Sequence, residues 1–248
     1  MTRRSVLVST LLILLAWEVA ARLARATVLP PASAVLLEFA ASLPGDLGRH
    51  LLISTWRVVA SIVLTIVLAT PAGLAIGQSQ KWNRRLSALI YLTYPIPKVV
   101  LLPIILLFLG IGDASKIFLI WLILFYQVLL VVRDASAGVH PDLVQSVASL
   151  GSTRLQLIRF VFFPACLPAI LTGLRVSVGT AIAVLFLAES IATSSGLGYY
   201  IMVEGWGRLD YVAMYAGVVA MSLLGLALYA LLDRAERLAC PWTTAHAN

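Results

Sequence analysis

Charge is scarce in this chain: 12% of its 248 residues are Asp, Glu, Lys or Arg, against roughly 25% in soluble domains. With 61% hydrophobic residues and a mean hydropathy of +0.98, a water-soluble domain is excluded and an integral membrane protein indicated. Cysteine is nearly absent. Cys166 and Cys240 stand in no CxxC or metal-ligand spacing, so both read as reduced structural thiols. His50, His140 and His246 are scattered, with no H-E-x-x-H, which leaves no ligand set for a metal. A G-x-x-x-x-G-K-[ST] phosphate loop is missing, so ATP is not bound in the usual manner. No G-x-S-x-G elbow supports intramembrane hydrolysis; no catalytic residue is assigned and no cofactor is implied. The net charge of +7 is spread between apolar runs rather than gathered on one face, which argues against a nucleic-acid partner and for membrane topology.

What the chain has is apolar runs, six of them, and the reading is an all-α membrane protein with six transmembrane helices. The first, 5–17, follows Arg3 and Arg4. It resembles a signal peptide, but Glu18 and the polytopic remainder favour a retained span. A connector, 27–49, holds Pro30, Pro31, Pro44 and a short surface helix at 34–43. The second span, 51–76, carries a small residue every fourth place, Ala69, Gly73 and Gly77, a seam for close helix approach. The third, 86–109, is broken by Pro95, Pro97 and Pro103. The carbonyls these prolines free need neighbours or a water-lined path, so this span is the candidate lining of a pathway. A tight external turn, GIGDASK, precedes the fourth span, 117–132. The fifth, 167–187, and the sixth, 211–232, flank an external segment, 189–210, containing SSGLGYY.

Basic residues set the orientation. Ten fall in segments read as cytoplasmic: Arg3, Arg4, Lys81, Arg84, Arg85, Arg133, Arg154, Arg159, Arg234 and Arg237. Five fall outside, Arg22, Arg25, Arg49, Lys116 and Arg208, and the two-to-one bias puts both termini inside. Arg57, Lys98 and Arg175 lie within spans, where an ionisable group costs about 2.5 to 3.5 kcal/mol at a helix centre. Lys98, among prolines, either faces an aqueous cavity or snorkels to the interface. Arg57 and Arg175 snorkel, line a path, or pair with a carboxylate such as Glu189. These four are the candidate pathway residues.

Between the fourth and fifth spans lies a polar interruption, 133–164. Pro141 suits the first position of a helix, and Asp142 its positive end. Leu143, Val144, Val147, Ala148 and Leu150 recur at helical spacing, and Gly151 ends the run. Pro164 and Pro168 mark the return to the membrane. On the residues alone, this is an amphipathic loop helix of the kind that lies on a membrane surface.

Its spacing resembles the cytoplasmic loop of the membrane subunits of bacterial ABC importers: Glu-Ala-Ala, three residues, Gly, nine residues, Ile-x-Leu-Pro. Gly151 and Pro164 keep that separation, and Val161 and Phe163 take the two apolar positions. Gln145, Ser146 and Val147 stand where Glu-Ala-Ala is expected. The continuation PACLPAILTGLRVSVGTA and the later AESIATSSGLGY are similar to the subfamily moving nitrate, sulfonates, taurine or bicarbonate. The resemblance runs from about His50 to the C-terminus.

That resemblance implies a type I importer permease fold in the bacterial cytoplasmic membrane. Residues 1–49 would form the first span and connector, 50–237 the permease domain and 238–248 a cytoplasmic tail. It implies that 141–157 dock as a coupling helix on a separate ABC ATPase subunit. Pro141, Asp142, Gln145, Ser146, Val147, Leu150, Gly151, Arg154, Val161, Phe163 and Pro164 would build that site. Two copies would enclose a path fed by an external solute-binding protein, with SSGLGYY near the outer gate. An ion-gradient-driven transporter is the alternative, but the repeats and paired intramembrane acids it calls for are not evident.

Overall fold

In the computed structural model, which describes residues 3–244, every regular element is helical. The helices are α1 (Arg3–Ala24), α2 (Ala32–Ser42), α3 (Asp46–Gly77), α4 (Gln80–Thr93), α5 (Leu102–Leu109), α6 (Asp113–Ala137), α7 (Pro141–Ala148), α8 (Arg154–Leu157), α9 (Phe163–Ser190), α10 (Leu197–Tyr199), α11 (Tyr211–Ala239) and α12 (Pro241–Thr244). Among them are 3₁₀ turns at Lys98–Leu101 and Trp206–Arg208, and π turns at Ile158–Phe162 and Tyr200–Gly205. Five helical stretches are long and apolar enough to cross a bilayer. A sixth span results if α4 and Lys98–Leu109, bent by 74°, count as one. His246 lies outside the described residues.

Several boundaries differ from the sequence reading, each for a local reason. The bend in the third span falls at Pro95 and Pro97, not at Pro103. Pro103 occupies the start of α5, where its missing N–H breaks no intrahelical bond. The basic stretch around Lys81, Arg84 and Arg85 is not a loop but the first turns of α4, where Ser79 accepts the Trp82 N–H as an N-cap. GIGDASK is mostly helix: α6 begins at Asp113, and Lys116 is fully buried, donating to the Ile111 carbonyl. Lys116 therefore drops out of the external charges.

At 25 residues α6 is about 37 Å long at 1.5 Å per residue, ample for a hydrocarbon layer of about 30 Å. Arg133 and Asp134 pair at 2.7 Å within its last turns. The fifth span is also longer than expected, because helix runs without a break from Arg154 to Ser190. Pro164 cannot donate to the Phe160 carbonyl. The π turn immediately before it takes up the fault, with the Phe163 N–H bonded five residues back to Ile158.

The chain divides into two compact units, residues 1–56 with 186–224, and residues 57–185 with 225–248. In the first, the Trp17 indole donates to the Pro30 carbonyl at 3.1 Å. Glu18 accepts both the N–H and the hydroxyl of Ser33 at 3.0 Å, satisfying a donor in the first turn of α2 that has no intrahelical partner. In the second, the small-residue seam packs against α6. A Cβ on Gly73 would lie 2.7 Å from that of Val132, and one on Gly77 would lie 2.4 Å from the Arg133 carbonyl oxygen. The Ser136 hydroxyl donates across the same seam to the Leu74 carbonyl at 3.1 Å, so close approach and an interhelical hydrogen bond occur together. Cys166 and Cys240 are buried and form no disulfide. Burial, and then Glu236, push the Cys240 thiol up.

Candidate functional site

The loop between α6 and α9 is built by local hydrogen bonds. Pro141 opens α7, and the His140 Nδ1 accepts the Asp142 N–H at 3.3 Å. The Asp142 carboxylate also lies 3.3 Å from the same Nδ1. Ser146 donates to the Asp142 carbonyl at 2.7 Å and Ser149 to the Ser146 carbonyl at 2.9 Å. Gly151 then adopts φ +76°, the left-handed conformation that lets a helix stop. Thr153 and Gln156 form a reciprocal capping box that starts α8. The T-x-x-Q pattern at 153–156 was readable in the sequence and marks this second helix start.

Side chains in this loop point two ways. Val144 and Val147 are half-buried, and α7 packs against α8 and the π turn. Val161 is buried, Pro164 half-buried and Phe163 exposed. Outward stand Gln145, Ser146 and Arg154, together with Leu143 and Leu150. Leu150 is 83% exposed at the tip, next to the glycine that ends the turn.

The span charges take specific partners. Arg57, 2% exposed, donates through Nε and Nη2 to Oδ1 of Asp113 at 2.9 and 2.7 Å. Arg175 bridges α9 to α11, 2.7 Å from Asp233 and 3.1 Å from Glu236. The Glu236 contact is within ion-pair range but off hydrogen-bond alignment, so Asp233 is the principal partner. Thr172 donates to the other Glu236 oxygen at 2.9 Å.

Lys98 caps the bend. Its Nζ donates to the carbonyls of Thr93, Tyr94 and Ile96 at 3.1, 3.0 and 3.3 Å and lies 4.4 Å from the centre of the Tyr126 ring. Pro97 cannot donate to the Thr93 carbonyl, and the ammonium replaces that missing N–H. Its three donors are thereby matched by three carbonyls. Lys98 and Arg175 are not brought together.

Glu189 is fully buried in the first unit. Its carboxylate accepts the Ser54 hydroxyl and the Gly198 N–H at 3.0 Å. Ser54 in turn accepts the Leu197 N–H at 2.8 Å, and His50 Nδ1 accepts the Gly196 N–H at 2.9 Å. SSGLGYY is therefore no plain loop: it is hung by three successive backbone N–H groups from α3 and the end of α9, and it continues as a π turn. Burial, reinforced by Glu38, Glu204 and Asp210 and opposed by a hydrogen bond with Ser42, pushes the Tyr200 phenol up. Sequence reasoning missed His50 and Ser54. The signal was present, because His50, Ser54, Arg57, Ser61 and Thr65 recur at helical spacing along α3 and all are buried.

Comparison with known proteins agrees with this architecture. Residues 66–239 match the family described as "Binding-protein-dependent transport system inner membrane component". The taurine transport system permease protein TauC of Escherichia coli (strain K12) is 32% identical over 246 residues, covering 95% of this chain and 88% of that one. The putative aliphatic sulfonates transport permease protein SsuC of Bacillus subtilis (strain 168) is 30% identical, covering 89% and 80%. An inward-facing structure of the MetNI methionine ABC transporter superposes with a TM-score of 0.66 at 19% identity, over 78% of this chain and 95% of that chain. It carries the fold alone. The chain thus belongs to the binding-protein-dependent transport system inner membrane components: it is a multi-pass permease subunit of an ABC importer.

Proposed function

We propose that this permease carries a small sulfonate such as taurine, or a related oxoanion, across the bacterial inner membrane. It does so with a separate ATPase bound at α7 and an external binding protein that delivers the solute. The observation that carries the reading is the loop 141–157. A short helix, a left-handed glycine and a capped second helix leave Leu143 and Leu150 exposed side by side with polar residues, an apolar pair that a docked ATPase surface would cover. Two copies of the chain enclose the path, with both termini and the loop in the cytoplasm. Residues 50–237 form the transport domain, and the chain has no ATPase site of its own. Ion pairs such as Arg175–Asp233 hold the spans in register, and Lys98 holds the bend.

The relatives named for taurine and sulfonate transport support the substrate class. Measuring which solute the co-encoded binding protein retains identifies it. Uptake of that solute by cells carrying the whole system stops when ATP is depleted and persists when an uncoupler removes the ion gradient. Uptake that survives ATP depletion and collapses with the uncoupler would overturn the proposal.

A further inference from the structure

In the second unit a cavity of about 370 Å³ lies between the end of α4, the middle of α6 and α9. Its lining includes no Asp, Glu, Lys, Arg or His; its polar members are Tyr94, Gln127, Thr172, Ser177 and Thr180. Two of the four hydroxyls are already committed. Thr172 donates to Glu236, and Ser177 donates to the Gly173 carbonyl at 2.7 Å. Gln127 and Thr180 differ. The Gln127 amide N–H reaches Thr180 Oγ1 only at 3.4 Å, and its carbonyl oxygen is buried without a partner.

Turning the amide over, an assignment that amide geometry leaves open, lets Thr180 donate to the carbonyl. It then strands the NH₂ group on the side where the oxygen had none. In either orientation the protein supplies one partner too few. A buried polar side chain in that condition calls for a partner from outside the fold.

We propose that Gln127, with its amide turned so that Thr180 donates to the carbonyl, forms a transit subsite for the imported solute, the stranded NH₂ donating to oxygens of a sulfonate or similar oxoanion head while Thr180 holds the amide in that orientation. This rests on the importer reading above. A cavity with hydrogen-bond donors and no cation holds an anion weakly, which suits a station that must also release it.

Two measurements on the assembled complex test it, with the ATPase and binding protein present and taurine as the probe solute. In the first, Thr180→Cys, with Cys166 and Cys240 replaced by serine, is labelled by a small charged methanethiosulfonate reagent. Turnover in the presence of taurine slows the labelling. Labelling in no nucleotide state, or labelling indifferent to taurine, would overturn the proposal.

In the second, taurine moved per ATP hydrolysed falls about tenfold in Gln127→Leu and in Thr180→Val, the loss expected for a removed hydrogen bond to a charged group. It recovers in Thr180→Ser. An unchanged ratio means the amide holds only a water or shapes packing, and the subsite is wrong. Wild-type complex with no ATP-dependent taurine uptake would remove both the subsite and the substrate reading. Normal wild-type uptake beside indifferent variants removes the subsite alone.

Discussion

Ser54 and Glu189, 135 residues apart in the chain, meet in the interior of the first unit, with the serine hydroxyl 2.9 and 2.8 Å from the two carboxylate oxygens. Ser54 also accepts the Leu197 N–H. Ser54→Ala therefore strands a buried carboxylate contact and a backbone donor together, at a cost of about 2 kcal/mol. Unfolding of the purified chain in detergent should show that loss. A change too small to resolve would mean water replaces the hydroxyl and the link is dispensable.

Gly196 and Gly151 both have positive φ, +107° and +76°, but their surroundings differ. A Cβ on Gly196 would lie 2.3 Å from the Glu189 carboxyl carbon, whereas one on Gly151 meets nothing within 4 Å. Gly196→Ala should displace the SSGLGYY segment and lower stability well beyond the roughly 1 to 2 kcal/mol of the backbone conformation itself. Gly151→Ala should cost no more than that conformational penalty. Similar melting temperatures for the two variants would contradict the clamp described around Glu189.

The contrast also shows what could be read from the sequence. Six apolar runs, the Ala69, Gly73 and Gly77 seam and the proline break in the third span follow from local composition, and the structure has all three. The glycine turn at 151 was legible because Pro141, the apolar periodicity and Gly151 reinforce one another within a dozen residues. Partners brought together only by tertiary packing were not legible. Nothing near Arg175 announces Asp233, and nothing near Glu189 announces Ser54. Lys116 read as a loop charge because helix α6 starts four residues earlier than its apolar run. Whether Lys98 faces a cavity or snorkels stayed open because the sequence shows a lysine among prolines, but not the carbonyls of Thr93, Tyr94 and Ile96 to which it donates.

Arg175 and Asp233 are each about one-quarter exposed, so their attraction is only partly screened. A double-mutant cycle with Arg175→Met and Asp233→Asn should give a coupling of about 1 kcal/mol. Zero coupling would mean that Glu236 alone holds the arginine.

Gly151→Ile forces a β-branched residue into the left-handed region, while Gly151→Asn suits it. The isoleucine variant should insert in the membrane and hydrolyse ATP through its partner, yet import far less solute per ATP. The asparagine variant should stay within about twofold of wild type. Equal coupling in both would contradict the role assigned to the turn.

The central claim is that the loop bearing Leu150 rests on an ATPase. Leu150→Cys, in a background without Cys166 and Cys240, should crosslink to a cysteine placed in the surface groove of the co-purified ATPase subunit. The yield should rise or fall with nucleotide as the complex cycles. An assembled, ATP-hydrolysing complex that gives no crosslink from position 150 in any nucleotide state would contradict the account.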